Sequence, residues 1–247
     1  MENKKALITG ASSGIGLEFV KALSKEGYNI TLVSNEKDKL EEALKIIPGN
    51  NRAIYANLTN FEDIEKICSE ISKNNYDLVI NNAGMGSYGN FEDADTKELN
   101  DIITINCNAI MMISHSFLKK AKSGDSLIIV SSAIIFMPSP NGPIYVSTKA
   151  FSSLLGQCLW QKQRQKGIYV MVLHPGAINT RFFKISGVNK EPSKLIMMSP
   201  KKLVEIAVRE LKKRKNPIVI PGIKTKLLIF LAGILPKKTL LNFMKKF

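Results

Sequence analysis

A tyrosine and a lysine stand four residues apart in the run Tyr145-Val146-Ser147-Thr148-Lys149. Ala150, Leu154, Leu155 and Leu159 follow at mostly helical spacing. The run therefore reads as the first turn of a helix, with both side chains on one face. A tyrosine hydroxyl ordinarily ionises near pH ~10, too high for easy proton exchange at neutrality. An ammonium a few ångströms away stabilises the phenolate and makes Tyr145 a candidate general acid and base. Taken alone, the same spacing describes a solvated helix face. What the pair means depends on which other residues the chain brings to it.

The elements that would position it are legible. The chain has 247 residues, enough for one large α/β domain with a substantial core. Its 3 cysteines, Cys68, Cys107 and Cys158, are odd in number and widely spaced. They suggest neither a disulfide framework nor a zinc site and fit a reducing cytoplasm; no metal ligands are expected. The start, Met1-Glu2-Asn3-Lys4-Lys5, runs into an apolar strand with no signal-peptide core. No stretch reaches the ~20 apolar residues of a membrane-spanning helix.

Strands and helices alternate. Lys5 to Thr9, Asn29 to Ser34, Arg52 to Tyr55, Asp77 to Asn81 and Ser126 to Val130 read as strands. Helices follow the Gly10–Gly16 turn, through Lys25, and at Lys37 to Ile46 and about Phe61 to Lys73. This order predicts a doubly wound parallel sheet between two helical layers, a three-layer Rossmann-like α/β fold. Ligands in such sheets bind beyond the carboxyl ends of the strands, where Gly10-Ala-Ser-Ser-Gly14-Ile-Gly16 and Asn81-Asn-Ala-Gly84 both fall. A glycine-rich turn between strand and helix lets backbone approach a pyrophosphate, with the helix N-terminus facing it.

Together, Thr9-Gly-Ala-Ser-Ser-Gly-Ile-Gly16, Asn81-Asn-Ala-Gly84, Ser132 and Tyr145-x-x-x-Lys149 resemble the short-chain dehydrogenase/reductase family. Ser132 lies 13 residues before Tyr145, the separation that family uses. The resemblance runs in order from about Lys5 to Thr180. It implies hydride transfer between a nicotinamide and a carbonyl or alcohol carbon. Tyr145 would then be the general acid/base, Lys149 would lower its pKa, Ser132 would orient the substrate oxygen and Asn106 would hold a proton-relay water. It also implies cofactor contacts from Gly10, Ser12, Ser13, Gly14, Ile15 and Gly16, and from Asn82, Ala83 and Gly84. Asn57 and Leu58 would flank the adenine, although the family often has Asp where Asn57 stands. The loop His174-Pro175-Gly176-Ala177-Ile178-Asn179-Thr180 would pass the nicotinamide, with Pro175, Gly176 and Ile178 lining it and Thr180 bonding the carboxamide. His174 itself matches no family catalyst, and His115 reads as structural.

An acid closing the second strand would favour NAD, an arginine there NADP. Here the strand ends Ser34-Asn35, and Glu36 comes one position late. With Lys37 and Lys39 close by, NADP(H) is expected over NAD(H), with Asn35 beside the ribose. Residues 181 to 199 should include a substrate lid. Phe182, Phe183, Ile185, Leu195, Ile196, Met197 and Met198 make that stretch apolar, which suits a hydrophobic substrate such as a 3-oxoacyl thioester, a hydroxysteroid or a xenobiotic carbonyl. Pro200 to Lys215 reads as a helix whose terminal Lys212-Lys-Arg-Lys215 suits the helix dipole. Asn216 to Ile220 reads as the last strand.

The expected domain is residues 1 to 223, followed by a basic, apolar tail from 224 to 247. From Lys184 onward 16 Lys and Arg face 3 Glu, a surplus of 13 out of the whole chain's +14. No nucleic-acid module accompanies this charge. The tail could lie on a membrane surface, cap the active site or pack on a partner subunit. Helices from about Thr96 to Lys122 and Tyr145 to Lys166 would pair two copies, giving a dimer or tetramer. A non-catalytic, nucleotide-sensing or scaffolding relative would be expected to lack Tyr145 or Lys149, and both are present.

Overall fold

The computed structural model describes residues 4–188 and 197–244; the expected lid residues Leu195 and Ile196 lie outside them. Seven parallel strands form one sheet: β1 (Lys5–Thr9), β2 (Asn29–Ser34), β3 (Arg52–Tyr55), β4 (Leu78–Asn81), β5 (Ser126–Val130), β6 (Tyr169–Leu173) and β7 (Ile218–Val219). Their order across the sheet is β3-β2-β1-β4-β5-β6-β7. The winding reverses between β1 and β4, which pair in register as Ala6 with Leu78 and Ile8 with Ile80. That reversal places the crevice for a ligand above Thr9 and Asn81.

Alternate residues of each buried strand feed opposite layers. Ala6 and Ile8 pack with α1 (Gly14–Lys25), α2 (Lys37–Lys45) and α8 (Pro200–Lys213), while Leu7 packs with α3 (Phe61–Lys73) and α5 (Ala109–Leu118). Both faces are covered, so the strands read as unbroken apolar runs without polar alternation.

The helix expected over Thr96 to Lys122 is interrupted. α4 (Thr96–Ile103) passes through a π-helical turn at Thr104–Asn108 into α5, which ends at Leu118. The Asn106 side chain fixes this turn by bonding backbone outside the helix, and bulges of this kind commonly mark functional sites. α6 runs from Pro143 to Gln163, starting two residues earlier than expected because Pro143 occupies its first turn, where a missing N–H costs nothing. A 3₁₀ turn then covers Arg164–Lys166. α7 (Phe182–Ile185), α9 (Ile223–Ile234) and α10 (Lys237–Met244) complete the described chain.

Candidate active site

The glycine turn after β1 works as a backbone cradle. Gly10 has a φ of +64°, a region glycine adopts at little cost. At Gly16 the restriction is space, because a Cβ would stand 2.0 Å from the Gly10 carbonyl oxygen. α1 thus starts hard against the turn, and Ser13 at its N-cap makes no side-chain bond to the first-turn amides. Amides at such an end suit an anion like a pyrophosphate. Thr9 joins the cradle to the loop after β4, its hydroxyl accepting from the Asn82 and Ala83 amides at 3.0 Å each. The Asn82 side-chain amide returns bonds to the Thr9 and Gly10 carbonyls at 3.0 and 3.2 Å. Thr180 approaches from the far side, its methyl 3.3 Å from where a Cβ on Gly14 would be.

The residues expected to be catalytic lie beside this cradle. Tyr145, Lys149 and Asn106 are all buried. Ser132 follows β5 and caps the 3₁₀ turn Ala133–Phe136 by accepting from the Ile134 amide at 3.2 Å. Its hydroxyl also bonds Tyr145. The neighbouring Ser131 is otherwise engaged, donating to the Lys149 carbonyl at 2.7 Å. Burial pushes the Tyr145 hydroxyl up to about 12, against the opposing effect of the Ser132 bond. Burial likewise pushes Lys149 down to about 8. The Lys149 ammonium donates to the Val130 carbonyl at 3.1 Å and stands 5.9 Å from the Tyr145 ring centre. Loss of water is the larger influence on both groups.

The Asn106 side chain is tied into the site on both sides. Its side-chain amide donates to the Met85 carbonyl at 2.7 Å and to the Thr148 hydroxyl at 3.0 Å, and its oxygen accepts from the Met85 amide at 3.0 Å. The side chain therefore holds the loop after β4 against α6. Gly84 sits where these parts meet, since a Cβ there would be 2.9 Å from the Asn106 oxygen and 3.2 Å from Lys149 Nζ. Thr148, which the sequence reading passed over, bridges the group by donating to the Tyr145 carbonyl at 2.8 Å. Its place inside the Tyr145–Lys149 run was the available signal.

Two aromatic rings flank Tyr145: Phe182 at 5.3 Å and Tyr88 at 5.8 Å between centroids. Phe183 lies edge-on to Phe182. The side of the cluster away from the glycine turn is thus apolar. His174 is fully buried at the end of β6, bonded through Nε2 to the Ser153 hydroxyl at 2.9 Å and packed against Phe136. Pro175 accepts from the Ala133 amide at 2.8 Å, tying the loop after β6 to that after β5, and Ile178 is buried beyond it.

At the other end of the crevice Asn35 is exposed and Glu36 turns inward. Ser12 donates to the Glu36 carboxylate at 2.8 Å, Arg181 stands 3.2 Å from it, and Lys39 also pairs with it. Burial raises the Glu36 pKa, but these three bonds outweigh it and hold the carboxyl below its ordinary value. A carboxylate therefore does reach the glycine turn, although from one position later than expected. Asn57 closes a local turn by accepting from Thr59, and the Leu58 side chain packs in the core beneath.

The fold is that of a dinucleotide-binding oxidoreductase class, with a glycine turn at the switch point and a buried tyrosine and lysine next to it. The family model for short chain dehydrogenases matches residues 4–190, and the chain belongs to that family. It is accordingly an enzyme acting between alcohol and carbonyl carbons. The human very-long-chain 3-oxoacyl-CoA reductase is 26% identical over 97% of this chain and 79% of its own length. The bovine protein is 28% identical over 73% of this chain, and the match spans only 61% of the relative. The X-ray structure of an alcohol dehydrogenase from the archaeon Thermococcus sibiricus, complexed with 5-hydroxy-NADP, is 25% identical. It superposes with a TM-score of 0.75 over 88% of this chain and 95% of the other.

Proposed function

We propose that this enzyme reduces the carbonyl of a hydrophobic substrate, using NADP(H). One observation carries the reading: a tyrosine hydroxyl bonded by Ser132 is buried with Lys149, next to glycines that leave no room for a methyl group. The cradle fits a nicotinamide dinucleotide, held by Gly10, Ser12, Ser13, Gly14, Ile15 and Gly16 with Asn82, Ala83 and Gly84. The cofactor supplies a hydride. As the carbonyl oxygen gains charge, Ser132 steadies it and Tyr145 hands over its proton. A hydroxyl pushed up to about 12 stays protonated at neutral pH, which is the form the reductive direction requires. Lys149, pushed down to about 8, keeps most of its charge at pH 7 and offsets the phenolate left by transfer. Asn106 and Thr148 keep this geometry rigid.

The hydrophobic substrate class rests on the rings of Tyr88, Phe182 and Phe183, and long-chain 3-oxoacyl thioesters suit it, as the relatives' name suggests. The NADP preference rests on the bound nucleotide of the archaeal relative, while Lys39 and Arg181, the partners that a 2′-phosphate would take, are paired with Glu36. Exposed Met111, Phe151 and Leu154 on α5 and α6 support pairing of two copies through those helices. Titration with NADPH and NADH, followed by nicotinamide fluorescence, tests the reading. Tighter NADPH binding and turnover of long-chain ketones are expected. Binding of neither nucleotide would refute it.

A further inference from the structure

α9 is apolar along most of its length, yet it packs inward only through Thr225, Ile229 and Ala232. On its outer side Ile223, Leu227, Phe230 and Ile234 are 84, 56, 65 and 65% exposed. These positions follow the helical repeat i, i+4, i+7, i+11, so they form one stripe. Exposed lysines stand at both ends of it, Lys224 and Lys226 at the start of α9 and Lys237 and Lys238 at the start of α10. The chain holds no acidic residue after Glu210. We infer that α9 and α10 form a docking face for an anionic phospholipid bilayer, with the Leu227–Phe230 stripe in the interface and the lysines on the headgroups.

Charge selects this occupant over a second copy. Two such faces brought together would set lysine against lysine, whereas anionic headgroups neutralise the rim. Length separates docking from spanning: the 12 residues of α9 extend roughly 18 Å, short of a hydrocarbon core of about 30 Å. Among the described residues no helix is long and apolar enough to cross a membrane. An exposed apolar stripe with a basic rim is the pattern of a helix lying in the interface plane.

The position of the face gives it a purpose. α9 rests on the turn Ala133–Phe136 that follows Ser132, and Ala232 and Leu240 bury Met137 between them. Thr225 closes on Gly176, where a Cβ would stand 2.5 Å from its hydroxyl oxygen. The inner side of the docking face is thus one wall of the proposed active site, and a long-chain substrate dissolved in the bilayer has a short path to Tyr145. That route rests on the function proposed above; the docking does not.

The test is flotation of the full chain with phosphatidylcholine vesicles, with and without phosphatidylglycerol. Phosphatidylglycerol should raise the bound fraction about tenfold, and raised salt should reverse the gain. The double variant L227E/F230E should lose about tenfold or more of the binding. A single helical content and unfolding midpoint for wild type and variant show that the variant is folded, and the quadruple change of Lys224, Lys226, Lys237 and Lys238 to Ser gives a second, milder probe with the same expected loss. Equal binding by wild type and both variants overturns the proposal, as does binding indifferent to phosphatidylglycerol. A dimer in lipid-free solution that L227E/F230E dissolves would assign the face to a second copy and overturn it too. Vesicle binding by a protein that turns over no ketone would leave docking standing and refute only the proposed reaction.

Discussion

His174 provides a quantitative test of how the loop after β6 is built. Its imidazole is fully buried against Phe136 and bonded to Ser153, and burial, with the Lys149 charge adding to it, pushes its pKa from 6.5 down to about 4. Above pH 6.5 the ring is neutral in the folded and unfolded chains alike, and its protonation contributes nothing to the balance. As pH falls below 6.5 the unfolded chain takes up a proton that the folded chain refuses, so stability is lost until the folded group titrates near 4. At about 1.4 kcal/mol per pH unit, the loss between pH 7 and pH 5 is about 2 kcal/mol, reaching about 3 kcal/mol by pH 4. Carboxylates also titrate in this range, so the comparison is with His174→Gln. The substitution shifts stability at every pH through packing, but it removes this one linkage. Urea unfolding followed by the fluorescence of the single tryptophan, Trp160, should show the wild-type and variant curves converging by about 2 kcal/mol between pH 7 and pH 5. Parallel curves would show that His174 accepts a proton as readily in the fold as out of it, and the sealed environment described here would be wrong.

Other outcomes follow from the cradle and the crevice. Gly84→Ala pushes a methyl against Asn106 and Lys149, so it should cut turnover by about tenfold or more while leaving the unfolding free energy within about 3 kcal/mol of wild type; undiminished turnover would show that the contact relaxes freely. Asn35→Arg adds a cation beside Lys39 and Arg181 and should raise the ratio of NADPH to NADH affinity by roughly tenfold. An unchanged ratio in the fluorescence titration would place Asn35 away from the ribose. Reduction measured against pH should fall above pH 8 as Lys149 loses its charge, since its folded pKa is about 8, and a flat profile up to pH 10 would exclude that role.

Much of the architecture could be read directly because its cause is local. A strand buried on both faces must be an apolar run, and glycine at Gly10 and Gly16 is demanded by backbone geometry, so both leave plain marks in the sequence. Side-chain alliances between distant segments leave none. Thr148 looks like any helix residue until Asn106 arrives from another helix 42 positions away. Glu36 gave no sign of turning back onto Ser12, or of meeting Arg181 across 145 residues. The lysine-rich end of α8 illustrates the same limit. Read as a favourable charge at a helix end, it contains Arg214, which leaves the helix at a φ of +52° to bond the carbonyls of Gly124, Asp125 and Gly167. The burial that shifts the Tyr145 and Lys149 pKa values depends on the whole fold, so helical spacing alone does not show it.

The central claim is that Tyr145 gives the proton that completes hydride transfer to a hydrophobic carbonyl. Its most direct test is NADPH consumption with a long-chain ketone, compared between the wild type and Tyr145→Phe, with NADPH binding measured on both. The account predicts a loss of turnover of about 10²- to 10⁴-fold at nearly unchanged NADPH affinity. Turnover within a few-fold of wild type would contradict it.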